Sequence, residues 1–271
     1  MDMVWVEAAC LGILALGLVL RARAGDSAVW RSAALPIACA ALLAEDSCIR
    51  AYGFYDYAPA WHGFDGTVPW LVGVIWVFVV LSARDMARAL SPQHWLPIAF
   101  LVIAYDAALI EPIATHCGLW RWHEAGPFAV PWIGMLGWAL FGASALFFLE
   151  KLPKRRTWLL VLAAPLATHG LLLACWWGLL RWVGRGQPSA ETMAAVGLAL
   201  ALALGAILWR FKGIGRVPLA LVAPRIAPAL FFFGLLALHS APLPLWAYAG
   251  TFALPWLLAT RWQTSGQVSL A

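Results

Sequence analysis

The chain has 271 residues, of which 63% are hydrophobic and only 11% are charged. Because soluble domains usually carry about 25% charged residues, this composition excludes an ordinary soluble globular protein. The net charge of +5 does not indicate nucleic-acid binding here, since basic cytoplasmic loops give apolar membrane proteins the same excess. We therefore predict an all-α, polytopic integral membrane helical bundle.

Apolar runs that approach about 20 residues, the length needed to cross the hydrocarbon core, follow one another along the chain. They predict eight or nine transmembrane helices in a single transmembrane domain over residues 1–271. The expected spans lie near residues 3–20, 32–49, 67–83, 94–111, 129–149, 157–180, 190–209, 217–238 and 242–260. The last two spans are the least regular, because prolines and Arg225 interrupt them.

Most of the 18 basic residues fall in alternate loops, and the densest run is Lys151, Lys154, Arg155 and Arg156. Because loops rich in lysine and arginine stay in the cytoplasm, we expect the N-terminus outside, in what we interpret as a bacterial inner membrane. In this orientation the acidic residues at the ends of the second and fourth spans gather at the outer face.

Four carboxylic acids near that face are candidate catalytic residues. Asp106 lies about 16 Å along the fourth span, and ionisable groups at such depth usually face the protein interior and mark function. Glu111 precedes Pro112, which is expected to end the helix there. Glu45 and Asp46 are about 100° apart on their helix, so one of them, preferably Glu45, faces the bundle centre. The alternative interpretation is a structural carboxyl bonded to a neighbouring helix for Asp106 and a solvated helix end for Glu111. For Glu45 and Asp46 it is an interfacial pair near the lipid headgroups.

Aromatic and polar residues close to these acids are candidates for substrate contact. Many of the 18 tryptophans are expected at membrane interfaces, but some could line a cavity and hold a cation against a ring face. The candidate substrate-binding residues are Asp56, Tyr55, Tyr57, His116, Trp120, Trp122 and Trp138. The sequence has no histidine box, nucleotide-binding loop or haem motif, so no metal and no cofactor is predicted.

Residues 106–138, DAALIEPIATHCGLWRWHEAGPFAVPWIGMLGW, contain a series of short motifs in a fixed order. These are Asp106, Glu111-Pro112, Gly118 with Trp120 and Trp122, Gly126-Pro127-Phe128, Val130-Pro131 and Gly137-Trp138. In this order they resemble the membrane carotenoid-biosynthesis family that includes carotenoid 1,2-hydratases (the bisanhydrobacterioruberin and γ-carotene hydratases). A looser similarity extends over residues 45–149. That family usually has Asn where this chain has Gly134.

The resemblance implies a cofactor-free lyase that hydrates a C=C bond of a carotenoid or other apolar polyene taken from the lipid bilayer. A carboxylic acid would protonate the bond, and water would capture the tertiary cation. One alternative is a cyclase or isomerase that uses the same protonation without water capture, which the glycine in place of Asn slightly favours. The other is a lipid or carotenoid carrier, or a transporter, that returns its substrate unchanged.

Overall fold

The computed structural model describes residues 3–23, 28–63, 66–183, 188–210 and 219–253, which are mainly helical and confirm the all-α prediction. The helices are α1 (Met3–Arg23), α2 (Ala28–Tyr52), α3 (Trp70–Leu90), α4 (Trp95–His116), α5 (Trp132–Lys151), α6 (Leu160–Cys175), the single turn α7 (Arg181–Val183), α8 (Ala190–Arg210), α9 (Leu219–Leu238) and α10 (Leu243–Thr251). A 3₁₀ helix (Lys154–Leu159) precedes α6, and a π-helical turn (Trp176–Leu180) follows it.

Within the described residues, five helical segments are long and apolar enough to cross a membrane. They are Ala28–Tyr52, Trp70–Leu90, Trp95–His116, Trp132–Lys151 and Lys154–Leu180. The apolar parts of α1, α8 and α9 are shorter over the same described residues. Each expected span overlaps a helix, although residues 217–218 of the eighth span and residues 254–260 of the last one lie outside the described part. The chain is therefore membrane-associated, and the count of eight or nine crossings stays a prediction.

The fourth span does not end at Glu111 as predicted, because α4 continues through Pro112 to His116. A proline inside a helix cannot donate to the carbonyl four residues earlier, which here belongs to Ala108. The hydroxyl of Tyr248, from α10, donates to that carbonyl at 2.9 Å. A side chain from another helix thus supplies the hydrogen bond that Pro112 removes.

The third span is also longer than predicted, since α3 extends beyond residue 83 to Leu90. Arg84, expected in a cytoplasmic loop, is instead a buried helical residue with 8% exposure. Its guanidinium donates to Asp85 at 3.1 Å, and the indole of Trp30 donates to the other oxygen of the same carboxylate at 2.9 Å. The neighbouring carboxylate allows the arginine to remain inside the bundle, because a buried charge needs a partner.

A two-stranded antiparallel sheet is the element that the sequence did not predict. It consists of β1 (Tyr55–Tyr57) and β2 (Trp120–Trp122), with Tyr55 opposite Trp122 and Tyr57 opposite Trp120. The strand β1 follows α2, and β2 follows α4, so the pairing joins two loops at the same end of the bundle. Because side chains alternate along a strand, these four aromatic residues share the face that points toward the helices.

Candidate functional site

Glu111 is a buried residue of α4, with 2% exposure, and three tryptophan side chains surround its carboxylate. The indole N–H groups of Trp120 and Trp122 donate to Oε2 at 2.8 Å and 2.7 Å. The indole of Trp138, on α5, donates to Oε1 at 2.7 Å. An indole nitrogen only donates, so all three partners match a carboxylate that accepts.

Glu45, on α2, is half-buried and also has three aromatic donors. The indole of Trp76, on α3, donates to Oε1 at 2.8 Å. The hydroxyl of Tyr57 donates to Oε2 at 3.2 Å, and the hydroxyl of Tyr55 donates to the same oxygen. The second carboxylate therefore has two phenols among its partners, where Glu111 has only indoles.

Both carboxylates line one cavity of about 80 Å³, which the sheet covers at one end. Its remaining walls are largely apolar and come from α2, α3, α5 and α6, with Phe141, Ile133 and Leu172 among them. Because one water needs at least about 10–15 Å³ of such space, the cavity has room for a few waters or the end of a hydrocarbon chain. It is too small for a whole carotenoid.

The sheet contributes four of the six donors, namely Tyr55, Tyr57, Trp120 and Trp122. Burial, followed by the nearby Glu45 carboxylate, raises the pKa of Tyr55 and Tyr57 well above 10. Both phenols therefore keep their protons at neutral pH and can donate them in hydrogen bonds. The strand pairing thus holds aromatic donors from two distant loops over carboxylates that are fixed on helices.

Gly134, on α5, gives the indole of Trp122 the space that it occupies. A Cβ atom at this position would lie 2.6 Å from the ring carbon Cζ2 of Trp122, closer than real contacts allow. The glycine found where the related family usually has Asn is therefore in contact with the indole that donates to Glu111.

Asp106 does not line the cavity, unlike Glu111, the other candidate acid of α4. It forms an ion pair with Arg225, from α9, and the side chains of these two residues are 15% and 5% exposed. The guanidinium also reaches the carbonyl of Val79 at 3.4 Å and the hydroxyl of Ser82 at 3.2 Å. Glu111 thus shares its cavity with Glu45 rather than with Asp106. A catalytic role for Asp106 stays a prediction.

Three other predicted site residues lie outside the cavity lining. Asp46 points away from Glu45 and forms an ion pair with Arg50 at 2.7 Å. Asp56, on the outward face of β1, contacts Nε2 of His123 at 2.6 Å. His116 is exposed at the last position of α4. Catalysis by Asp46 and substrate binding by Asp56 and His116 therefore stay predictions that the geometry does not favour.

Trp76 donates to a cavity carboxylate, but the sequence analysis did not select it as a site candidate. A buried tryptophan usually finds a partner for its N–H, and this one is 5% exposed, but nothing in the sequence indicates that the partner is Glu45. In the described part of the chain, no group of three or more histidine, cysteine or acidic side chains is placed to hold a metal ion.

The apolar helices and the pair of carboxylates in one cavity define the class, a helical membrane protein with a polar site in a largely apolar cavity. A family model described as "Carotenoid biosynthesis protein" matches residues 5–207 of the 271. The chain belongs to this family and has a role in carotenoid metabolism. The matched range contains both carboxylates and the sheet, whereas Arg225 lies beyond it. No curated protein and no solved structure matches the chain.

Proposed function

We propose that the chain is a carotenoid hydratase-like lyase, which adds water to a C=C bond by acid catalysis without a cofactor. One observation carries this proposal: Glu45 and Glu111, from different helices, line a single aromatic cavity. Protonation of an alkene needs an acid held away from bulk water, and capture of the cation needs room for water close by. This cavity meets both requirements.

The proposed reaction consists of proton transfer followed by water addition. A carboxyl group gives its proton to the less substituted carbon of a trisubstituted double bond, which leaves a tertiary cation on the other carbon. Aromatic ring faces, such as those of Trp76 and Trp138, attract a cation. A water molecule forms the C–O bond and returns one proton to the carboxylate. The sum is the addition of one water, with no oxidation or reduction.

The substrate that fits this site is a linear, apolar polyene whose end enters the cavity. The cavity admits the reacting end, and the remainder of the chain lies among membrane lipid. We place the protein in a bacterial inner membrane, with the N-terminus and the sheet at the outer face, because of the distribution of basic residues.

Mass analysis of the product tests the proposal. Purified protein in lipid nanodiscs would receive an acyclic carotenoid with isopropylidene ends in ¹⁸O-labelled water, with a chelator and without nicotinamide cofactor. We expect a product heavier than the substrate by one labelled water. A product of unchanged mass would establish the cyclase or isomerase instead, and substrate that is bound but returned unchanged would establish the carrier. Activity that the chelator abolishes and one metal restores would contradict the acid-only mechanism.

A further inference from the structure

The two carboxylates of the cavity differ in what their partners can do with a proton. The three hydrogen-bond partners of Glu111 described above are indole N–H groups, which donate hydrogen bonds and cannot accept them. If Glu111 were protonated, its O–H would find no acceptor among these three side chains. The surroundings of Glu111 are therefore complementary to a carboxylate.

Glu45 has partners of another kind. The hydroxyls of Tyr55 and Tyr57 both contact its Oε2, and a phenol oxygen accepts a hydrogen bond as well as donating one. Protonated Glu45 could therefore donate to a phenol oxygen after a hydroxyl rotates, and the unprotonated form is held by the same two hydroxyls. These partners suit both protonation states.

We propose that the two carboxylates have separate roles, with Glu45 carrying the proton that reaches the substrate and Glu111 remaining a carboxylate that stabilises the cation. This assignment rests on the proposed function. Tyr55 and Tyr57 are positioning residues in this assignment, because their hydroxyls hold the carboxyl group of Glu45.

The atoms balance over one turnover. The O–H bond of Glu45 breaks, and its proton forms a C–H bond with the electron pair of the double bond. Water then forms a C–O bond with the cation, and one proton of that water passes to the Glu45 carboxylate. Glu111 begins and ends the cycle as an anion. Its three N–H partners are already oriented before the cation forms, so no reorganisation is required when the charge appears.

Infrared spectroscopy tests the assignment without any substrate, because the C=O stretch of a protonated carboxyl group is separate from the carboxylate bands. Protein in nanodiscs would be titrated from acidic to neutral pH. One protonated-carboxyl band will persist to the highest pH in this titration. We expect that band to be absent in Glu45→Gln and retained in Glu111→Gln. Asp106→Asn, whose ion pair with Arg225 lies outside the cavity lining, is the control and should retain the band. Loss of that band in Glu111→Gln alone, or in neither glutamine variant, would overturn the assignment.

Variants of the residues that donate hydrogen bonds to the two carboxylates keep the test decisive if a glutamine variant does not fold. Tyr57→Phe removes a hydroxyl from Glu45 and should shift the frequency of the band, whereas Trp138→Phe removes an N–H from Glu111 and should leave the frequency unchanged. The opposite pattern would exchange the two roles. Because these spectra need no turnover, the role assignment and the hydration reaction can fail separately: the mass test judges hydration, and the infrared test judges which carboxyl holds the proton.

Discussion

Trp122 donates to Glu111 over 2.7 Å, although Trp122 is in a strand and Glu111 is in a helix long and apolar enough to cross a membrane. The contact requires that β2 pair with β1 and that Gly134 leave space for the indole. The position of one hydrogen bond therefore depends on three separate parts of the chain. This dependence allows the site to be tested through residues that do not themselves react.

Replacing either cavity carboxylate should abolish most of the turnover. Glu45→Gln and Glu111→Gln keep nearly the same volume but lose the transferable proton or the negative charge. General acid–base groups typically contribute about 10²–10⁴-fold, and we expect losses in this range. Product formed per folded protein is the measurement, with the monodisperse fraction in detergent taken as folded.

Asp56→Asn is the matched control for these variants, since Asp56 is on the outward face of β1 and its side chain is 50% exposed. Its turnover should stay within about threefold of wild type, well below the range expected for an acid–base residue. Folded Glu45→Gln and Glu111→Gln proteins that are equally active would remove both residues from the mechanism.

Asp106→Asn should reduce stability more than catalysis. The substitution leaves the guanidinium of Arg225 buried without its charged partner, and breaking a buried ion pair costs about 3–5 kcal/mol. We expect a lower Tm, with near-normal turnover in the folded fraction. The double variant Asp106→Asn/Arg225→Met, which removes both charges, should recover stability. A folded Asp106→Asn protein with turnover reduced at least about 10²-fold would instead support the catalytic role predicted from the sequence.

Gly134→Ala should displace the indole of Trp122 and weaken its hydrogen bond to Glu111. The added methyl group would overlap the ring, so we expect a loss of turnover comparable with that of Trp122→Phe. Gly170→Ala, on α6, is the control, because a Cβ atom there would meet nothing within 4 Å. Equal activity of the two alanine variants would show that the position of Trp122 is unimportant.

The orientation in the membrane can be tested with two reporter fusions. The basic run from residue 151 to residue 156 predicts that a reporter fused after Arg156 behaves as cytoplasmic. A reporter inserted beside Arg121, on β2, should behave as periplasmic. If both results are reversed, the sheet and the cavity beneath it lie at the cytoplasmic face, and the orientation inferred from the basic residues is wrong.

Sequence reasoning identified the helices, both carboxylates of the cavity and five of their six aromatic donors. Apolar length indicates the spans, and helical spacing indicates that only one of Glu45 and Asp46 faces the interior. In the structure Glu45 lines the cavity, whereas Asp46 pairs with Arg50. Trp120, Trp122 and Trp138 were predicted to contact substrate, and all three line the cavity. Their role as substrate contacts stays a prediction.

The remaining features depend on contacts between distant parts of the chain. The depth of Asp106 in its span indicates that it faces inward, but depth cannot identify Arg225, 119 residues away, as its partner. Pro112 predicts the end of a helix, but α4 continues through it. Tyr248, from α10, donates to the carbonyl of Ala108, which the proline cannot reach with an N–H group. Strands of three residues carry too short an alternation to be recognised, so the sheet was missed.

The two-stranded sheet also bears on how such a protein can diverge. The carboxylates are on helices long and apolar enough to cross a membrane, whereas four of their six donors are on strands outside those helices. Exchanges among phenylalanine, tyrosine and tryptophan in the strands can change the polarity and shape of the cavity while helix insertion stays the same. Variation within β1 and β2 therefore offers a route to a cavity of different shape and polarity that leaves the helical scaffold unchanged.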